Sequence, residues 1–110
     1  MSAFFDSEII KESLDDINKL QEDVYGKLVH FHTMTYDEQI DHVSKLTELL
    51  DKQRIMYTRL SLSDDPDAVV MKESLNKTVT MMGYPEGTDI AVLFKNMHAT
   101  IDALKEFLEA

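Results

Sequence analysis

The chain has 110 residues, a formal net charge of −10, a hydrophobic fraction of 44% and no cysteine. This length suits one domain, residues 1–110, and the hydrophobic fraction is that of a globular rather than a disordered protein. The missing cysteines exclude disulfides, thiol catalysis and thiolate metal sites, and the acidic balance disfavours binding to nucleic acid phosphates or anionic membrane surfaces.

The first helix is predicted from about Ser7 to about Phe31, with Asp6 or Ser7 as its cap. Its apolar residues recur at steps of three, four and seven and so share one side of a helix: Ile10, Leu14, Ile17, Val24, Leu28 and Phe31. Phe4 and Phe5 precede this helix. They either fold back onto it as a hydrophobic staple or form an apolar end that a partner binds.

A second long helix is predicted from Tyr36 to about Leu60, because Thr35 and Glu38 form a capping box in front of a broad apolar face. Two long helices joined by a short turn predict an antiparallel hairpin. Such helices make a short chain elongated and leave apolar surface that one copy does not cover, so we expect a dimer.

Two shorter helices are predicted to complete the fold. Asp64 or Asp65 caps the third helix, which has Pro66 in its first turn and stops at Gly83. The fourth helix starts at Thr88 or Asp89. Its apolar seam recurs at steps of three and four: Ile90, Phe94, Met97, Ile101, Leu104 and Leu108. The predicted fold class is therefore all-α, with a helical hairpin and two shorter helices packed on it.

The histidines do not predict a metal site. His42 has Glu38 one turn before it, and His98 has Asp102 one turn after it. The di-metal helical bundles instead place a glutamate three residues before each histidine. We therefore interpret both pairs as exposed carboxylate–imidazole contacts, and we expect no metal, no other cofactor and no catalytic residue.

The chain contains seven methionines, and four of them lie near the faces of the last two helices: Met71, Met81, Met82 and Met97. Because of their helical spacing, we interpret them as flexible filling of the core. The functional alternative is an adaptable surface that binds proteins.

The stretch KQRIMYTR, residues 52–59, is locally basic and contains the only two arginines of the chain. Arginine and tyrosine are enriched among the residues that dominate binding energy at interfaces, so Arg54, Tyr57 and Arg59 are candidate contact residues. Alternatively, both arginines pair with the acidic residues of the first helix.

Three blocks of sequence resemble a small protein family of unknown function that occurs in cyanobacteria and in tailed phages of marine cyanobacteria. The blocks are AFFDSEII (3–10), KQRIMYTRLSLSDDPDA (52–68) and MMGYP (81–85), the last followed by a Phe–x–x–Met at Phe94. The resemblance implies a cyanobacterial setting and brings no activity, cofactor or catalytic residue with it.

We predict a non-enzymatic protein that self-associates and docks on another, unidentified protein. The candidate contact residues are Phe4, Phe5, Arg54, Tyr57 and Arg59. An acidic inhibitor of a nucleic-acid-binding enzyme, such as RNA polymerase, is the alternative.

No apolar run reaches the ~20 residues of a membrane span, and acidic residues near the N-terminus do not suit a signal peptide. We therefore expect a cytoplasmic location.

Overall fold

Four α-helices dominate residues 3–110, the part of the chain that the computed structural model describes. They are α1 (Glu8–Leu28), α2 (Tyr36–Leu62), α3 (Pro66–Met81) and α4 (Ile90–Glu109), and a 3₁₀ turn, Phe31–Thr33, lies between α1 and α2. No strand occurs between residues 3 and 110, so the predicted all-α class with four helices is confirmed. The third and fourth helices, with 16 and 20 residues, are shorter than the first two, with 21 and 27, as predicted. The difference between α4 and α1 is only one residue, because α1 ends at Leu28 rather than at the predicted Phe31.

The helix starts follow local side-chain chemistry. The Thr35 hydroxyl accepts a hydrogen bond from the backbone N–H of Glu38 at 3.2 Å. The Asp65 and Asp89 carboxylates accept from the amides two residues further on, at 2.9 and 2.8 Å. These contacts satisfy amides that the first turn of a helix leaves unpaired, which is why capping residues locate helix starts in a sequence. The cap of α1 is Ser7, whose side chain makes no capping hydrogen bond.

The helix α2 is the centre of the fold, since each of the other three helices packs against it. Two ion contacts cross from α2 to α1. Lys45 Nζ lies 3.3 Å from Asp23 Oδ2, and Lys52 Nζ lies 4.0 Å from Asp16 Oδ2. Charged pairs therefore line the outer edge of the α1–α2 contact.

The core consists of two clusters of buried residues. The first cluster joins α2, α3 and α4: Leu50, Tyr57, Leu60, Ala68, Val79, Ile90 and Phe94. The second joins α1 to α2: Ile17, Val24 and Leu49. Burial of these side chains is the main contribution that holds the helices together.

The molecule is flat and extended. It measures 46 × 34 × 19 Å, and its Cα radius of gyration is 15.8 Å. A compact domain of this length has a radius of gyration of about 13 Å. A thickness of 19 Å is about two helix diameters, so most helices have one side facing solvent.

Candidate interaction surface

An apolar cleft of about 420 Å³ lies between α1 and α4. Residues of α2 form its floor, and residues of α3 line one side. Six of its lining residues define the walls and the floor: Leu14 and Ile17 of α1, Met56 and Leu60 of α2, and Leu93 and Met97 of α4. None of the fourteen residues that line the cleft is charged, although 29% of the chain is. Apolar concave surfaces of this kind are the usual location of binding sites.

The four methionines that we expected in the core lie on the surface, so that interpretation is wrong. Met71, Met81, Met82 and Met97 are 44%, 86%, 58% and 41% exposed. The thin arrangement of helices provides no neighbour to cover them. Met71, Met82 and Met97 line the cleft together with Met56, and methionine side chains adapt to many apolar partners.

Phe4 and Phe5 pack against the first core cluster and are half-buried. Their rings make an edge-to-face contact at 5.0 Å, and the Phe4 backbone N–H donates a hydrogen bond to Asp65 Oδ2 at 3.0 Å. Asp65 therefore caps α3 and also fixes the segment before α1. Only Phe5 of this pair lines the cleft.

Tyr57 is a core residue with a polar end. Its side chain is 6% exposed, and its hydroxyl donates to the Asp89 carboxylate, with both oxygens 2.9 Å away. Burial raises the pKa of Tyr57, and the hydrogen bond to Asp89 raises it further. The ring of Tyr57 contributes to the floor of the cleft.

Arg54 and Arg59 are exposed and do not join Tyr57 in one site. Arg54 Nη2 lies 3.8 Å from Asp51 Oδ1 on its own helix. Arg59 Nη1 donates to the Ser13 hydroxyl of α1 at 3.2 Å. These contacts differ from the expected pairing of both arginines with acidic residues of the first helix.

His42 is buried rather than exposed, so the expected exposed contact with Glu38 is wrong. It is 3% exposed, and neither ring nitrogen has a hydrogen-bond partner within the described chain. The Phe31 ring lies 5.5 Å away, and burial lowers the pKa of His42. The sequence did contain a signal, because His42 precedes Leu49 and Met56 by seven and fourteen residues and so shares their side of α2.

His98 contacts a different carboxylate from the one predicted. Its Nε2 lies 2.8 Å from Asp51 Oδ1 of α2, so the interpretation that it pairs with Asp102 on its own helix is wrong. This contact ties α4 to α2. Across residues 3–110, no three histidine, aspartate or glutamate side chains come close enough to form a metal-binding group.

Comparison with known proteins identifies the family of the chain. No curated protein and no solved structure matches it. None of the helices that the structure describes combines the length and the apolar character needed to cross a membrane. A family model described as a domain of unknown function, DUF1825, matches residues 2–108. The chain therefore belongs to the DUF1825 family over nearly its whole length.

Proposed function

We propose that this chain is a non-enzymatic interaction protein of the cyanobacterial cytoplasm, native or phage-infected. In this proposal the uncharged cleft face binds a second copy of the chain, and the resulting homodimer docks on another protein. The cleft has a volume of about 420 Å³ and an uncharged lining, and its adaptable methionine side chains suit a protein partner.

The accessible surface is the observation that carries this proposal. It amounts to 7433 Å² for a chain of 12.7 kDa. A compact monomer of this mass exposes about 6,200 Å². The excess of about 1,200 Å² exceeds the ~800 Å² that each partner buries in a stable interface of standard size.

Electrostatics favour the cleft face as the contact between copies. Each copy carries a net charge of −10, so two copies repel one another unless they meet through a surface that holds little charge. Burying unpaired carboxylates in an interface is costly. The uncharged lining of the cleft avoids both costs, whereas the α1–α2 edge carries charged pairs.

The predicted antiparallel hairpin is part of the proposal. Contacts between α1 and α2 join Asp23 to Lys45 and Asp16 to Lys52, so residue numbers fall along one helix as they rise along the other. An antiparallel hairpin of this kind fixes the position of the α1 side of the cleft relative to α2.

Sedimentation of the full chain over a wide concentration range tests the proposal. We expect a dimer for the wild type and a shift to monomer for Met97→Glu, which places a charge on the cleft wall. The matched control is Val69→Glu. Val69 is 40% exposed, against 41% for Met97, and lies on α3, but it does not line the cleft. A wild-type mass that stays monomeric at all concentrations would contradict the proposal.

The net charge favours a second candidate function, an acidic protein that inhibits a nucleic-acid-binding enzyme such as RNA polymerase. Exposed charge pairs are screened by salt, so binding of this type weakens steeply as ionic strength rises. Partner binding that persists at high salt would exclude this candidate and would favour contact through the apolar cleft.

A further inference from the structure

We infer that Phe107 of each copy inserts into the cleft of the other copy, through an antiparallel contact between the two α4 helices centred on Thr100. This inference rests on the proposed self-association and specifies its geometry.

Phe107 is an exposed aromatic side chain outside the core seam of α4. It is 77% exposed, whereas its neighbours on the seam, Leu104 and Leu108, are half-buried. An exposed phenylalanine of this kind on a protein that also carries an open apolar cleft is typical of a contact residue.

The positions of Phe107 and of the cleft on α4 allow two copies to fill each other's clefts at once. Leu93 of the cleft wall and Phe107 are fourteen residues apart on α4, so they lie about 21 Å apart along the axis and within about 40° of one another around it. Thr100 is midway between them. A two-fold axis at Thr100 therefore brings Phe107 of each copy beside Leu93 of the other, as an isologous interface requires.

The α4 surface between these two points permits close approach. Asn96, Thr100 and Ala103 are exposed, small or medium in size and uncharged. With 100° of rotation per residue, the charged residues of α4 all lie about 120° or more around the helix from Thr100. Two copies of a −10 chain can therefore bring these faces together without placing Asp102, Glu106 or Glu109 of α4 between them.

The cleft is large enough for the ring. An apolar cavity of about 150 Å³ holds benzene, and the cleft offers about 420 Å³ with methionine side chains that can close around the ring. Leu93 and Met97 would contact the ring from α4, and Leu14 from α1.

The first test is the dimer dissociation constant of Phe107→Ala in the full chain. We expect an increase of at least about 30-fold, the effect of truncating one strong hot-spot residue, because each dimer loses two rings. The matched control is Leu62→Ala, since Leu62 is 83% exposed and does not line the cleft. We expect it to dimerise like the wild type. Because both side chains are exposed, neither change should affect folding.

The second test uses the absence of cysteine in the chain. Thr100→Cys should form a covalent dimer on mild oxidation, because a residue on the two-fold axis meets its own copy within disulfide distance. Thr80→Cys, exposed on α3, should stay monomeric on a non-reducing gel.

The outcomes separate this inference from the proposed function. A wild-type dimer that is unaffected by Phe107→Ala, or whose Thr100→Cys variant cross-links no faster than Thr80→Cys, would overturn the inferred geometry and leave self-association standing. A wild-type monomer at every concentration would overturn both.

Discussion

The helix α2 carries a buried polar ring near each end, His42 and Tyr57. The two rings differ in whether their polar atoms have a hydrogen-bond partner. Tyr57 places its hydroxyl against the Asp89 carboxylate, while the two ring nitrogens of His42 have no hydrogen-bond partner within residues 3–110. The rings are fifteen residues apart, or about 22 Å along the helix. A buried polar group with a partner adds stability, whereas one without a partner costs free energy, so we expect the Tyr57 end to be the firmer one.

The largest expected effect comes from removing the Tyr57 hydroxyl. Tyr57→Phe keeps the ring but loses a hydrogen bond to a carboxylate, so the free energy of unfolding should fall by about 1.5 kcal/mol. Urea denaturation at fixed protein concentration measures this change. Tyr84→Phe is the control, since its hydroxyl accepts only an exposed hydrogen bond from Asn96, and it should cost less. Equal effects of the two variants would show that the Tyr57–Asp89 contact adds no particular stability.

A smaller effect is expected at Asp65, which is also at the Tyr57 end of α2. Asp65→Ala removes the cap of α3 and the acceptor of the Phe4 N–H, so it should lower the free energy of unfolding by about 1 kcal/mol. Asp64→Ala provides the matched control, because Asp64 is exposed and the capping bond of α3 comes from Asp65. If both variants unfold at the same urea concentration, the capping role of Asp65 is not supported.

The smallest effect at neutral pH, but a distinct pH dependence, is expected at His42. Its pKa is lowered by burial, so the unfolded chain takes up a proton below about pH 6.5 more readily than the folded chain. The wild type should therefore keep its full stability above that pH and lose stability as the pH falls further. His42→Leu should change the free energy of unfolding at neutral pH by no more than about 1 kcal/mol, because an apolar side chain replaces an unpaired polar one. It should also make the free energy of unfolding depend less on pH, because the variant lacks this imidazole.

The matched control for His42 is the exposed His32. His32→Gln replaces an imidazole on the surface of the folded chain, and this variant should unfold like the wild type across the acidic range. Thermal or urea unfolding followed by circular dichroism across the acidic range measures all three proteins. A His42→Leu variant that loses stability with acid as the wild type does would assign the dependence to other groups.

Much of the fold is predictable from the sequence because helix starts depend on near neighbours. Thr35, Asp65 and Asp89 each cap a helix through an amide two or three residues away, and the sequence contains that information directly. The helical spacing of the apolar residues likewise indicates four helices. The bond from Tyr57 to Asp89 joins residues 32 apart, and no local pattern indicates it.

The candidate site was much harder to predict because it depends on how far apart the helices lie. Met71 and Met97 have the spacing of core residues, yet they are exposed because α1 and α4 flank α2 without closing over it. The sequence also indicates an apolar position at Phe5 but not that its ring lies in a cleft. Packing distances between helices far apart in the chain set these outcomes, and hydrophobic periodicity does not report them.

Because the core is divided into two clusters, we expect the protein to unfold locally in two separate parts. The cluster of Ile17, Val24 and Leu49 holds α1, while the cluster around Tyr57 and Phe94 holds α3 and α4. Amide hydrogen exchange under native conditions should therefore resolve two protection levels. The amides of α1 would exchange through a partial opening that leaves the α2–α4 amides protected until the whole chain unfolds.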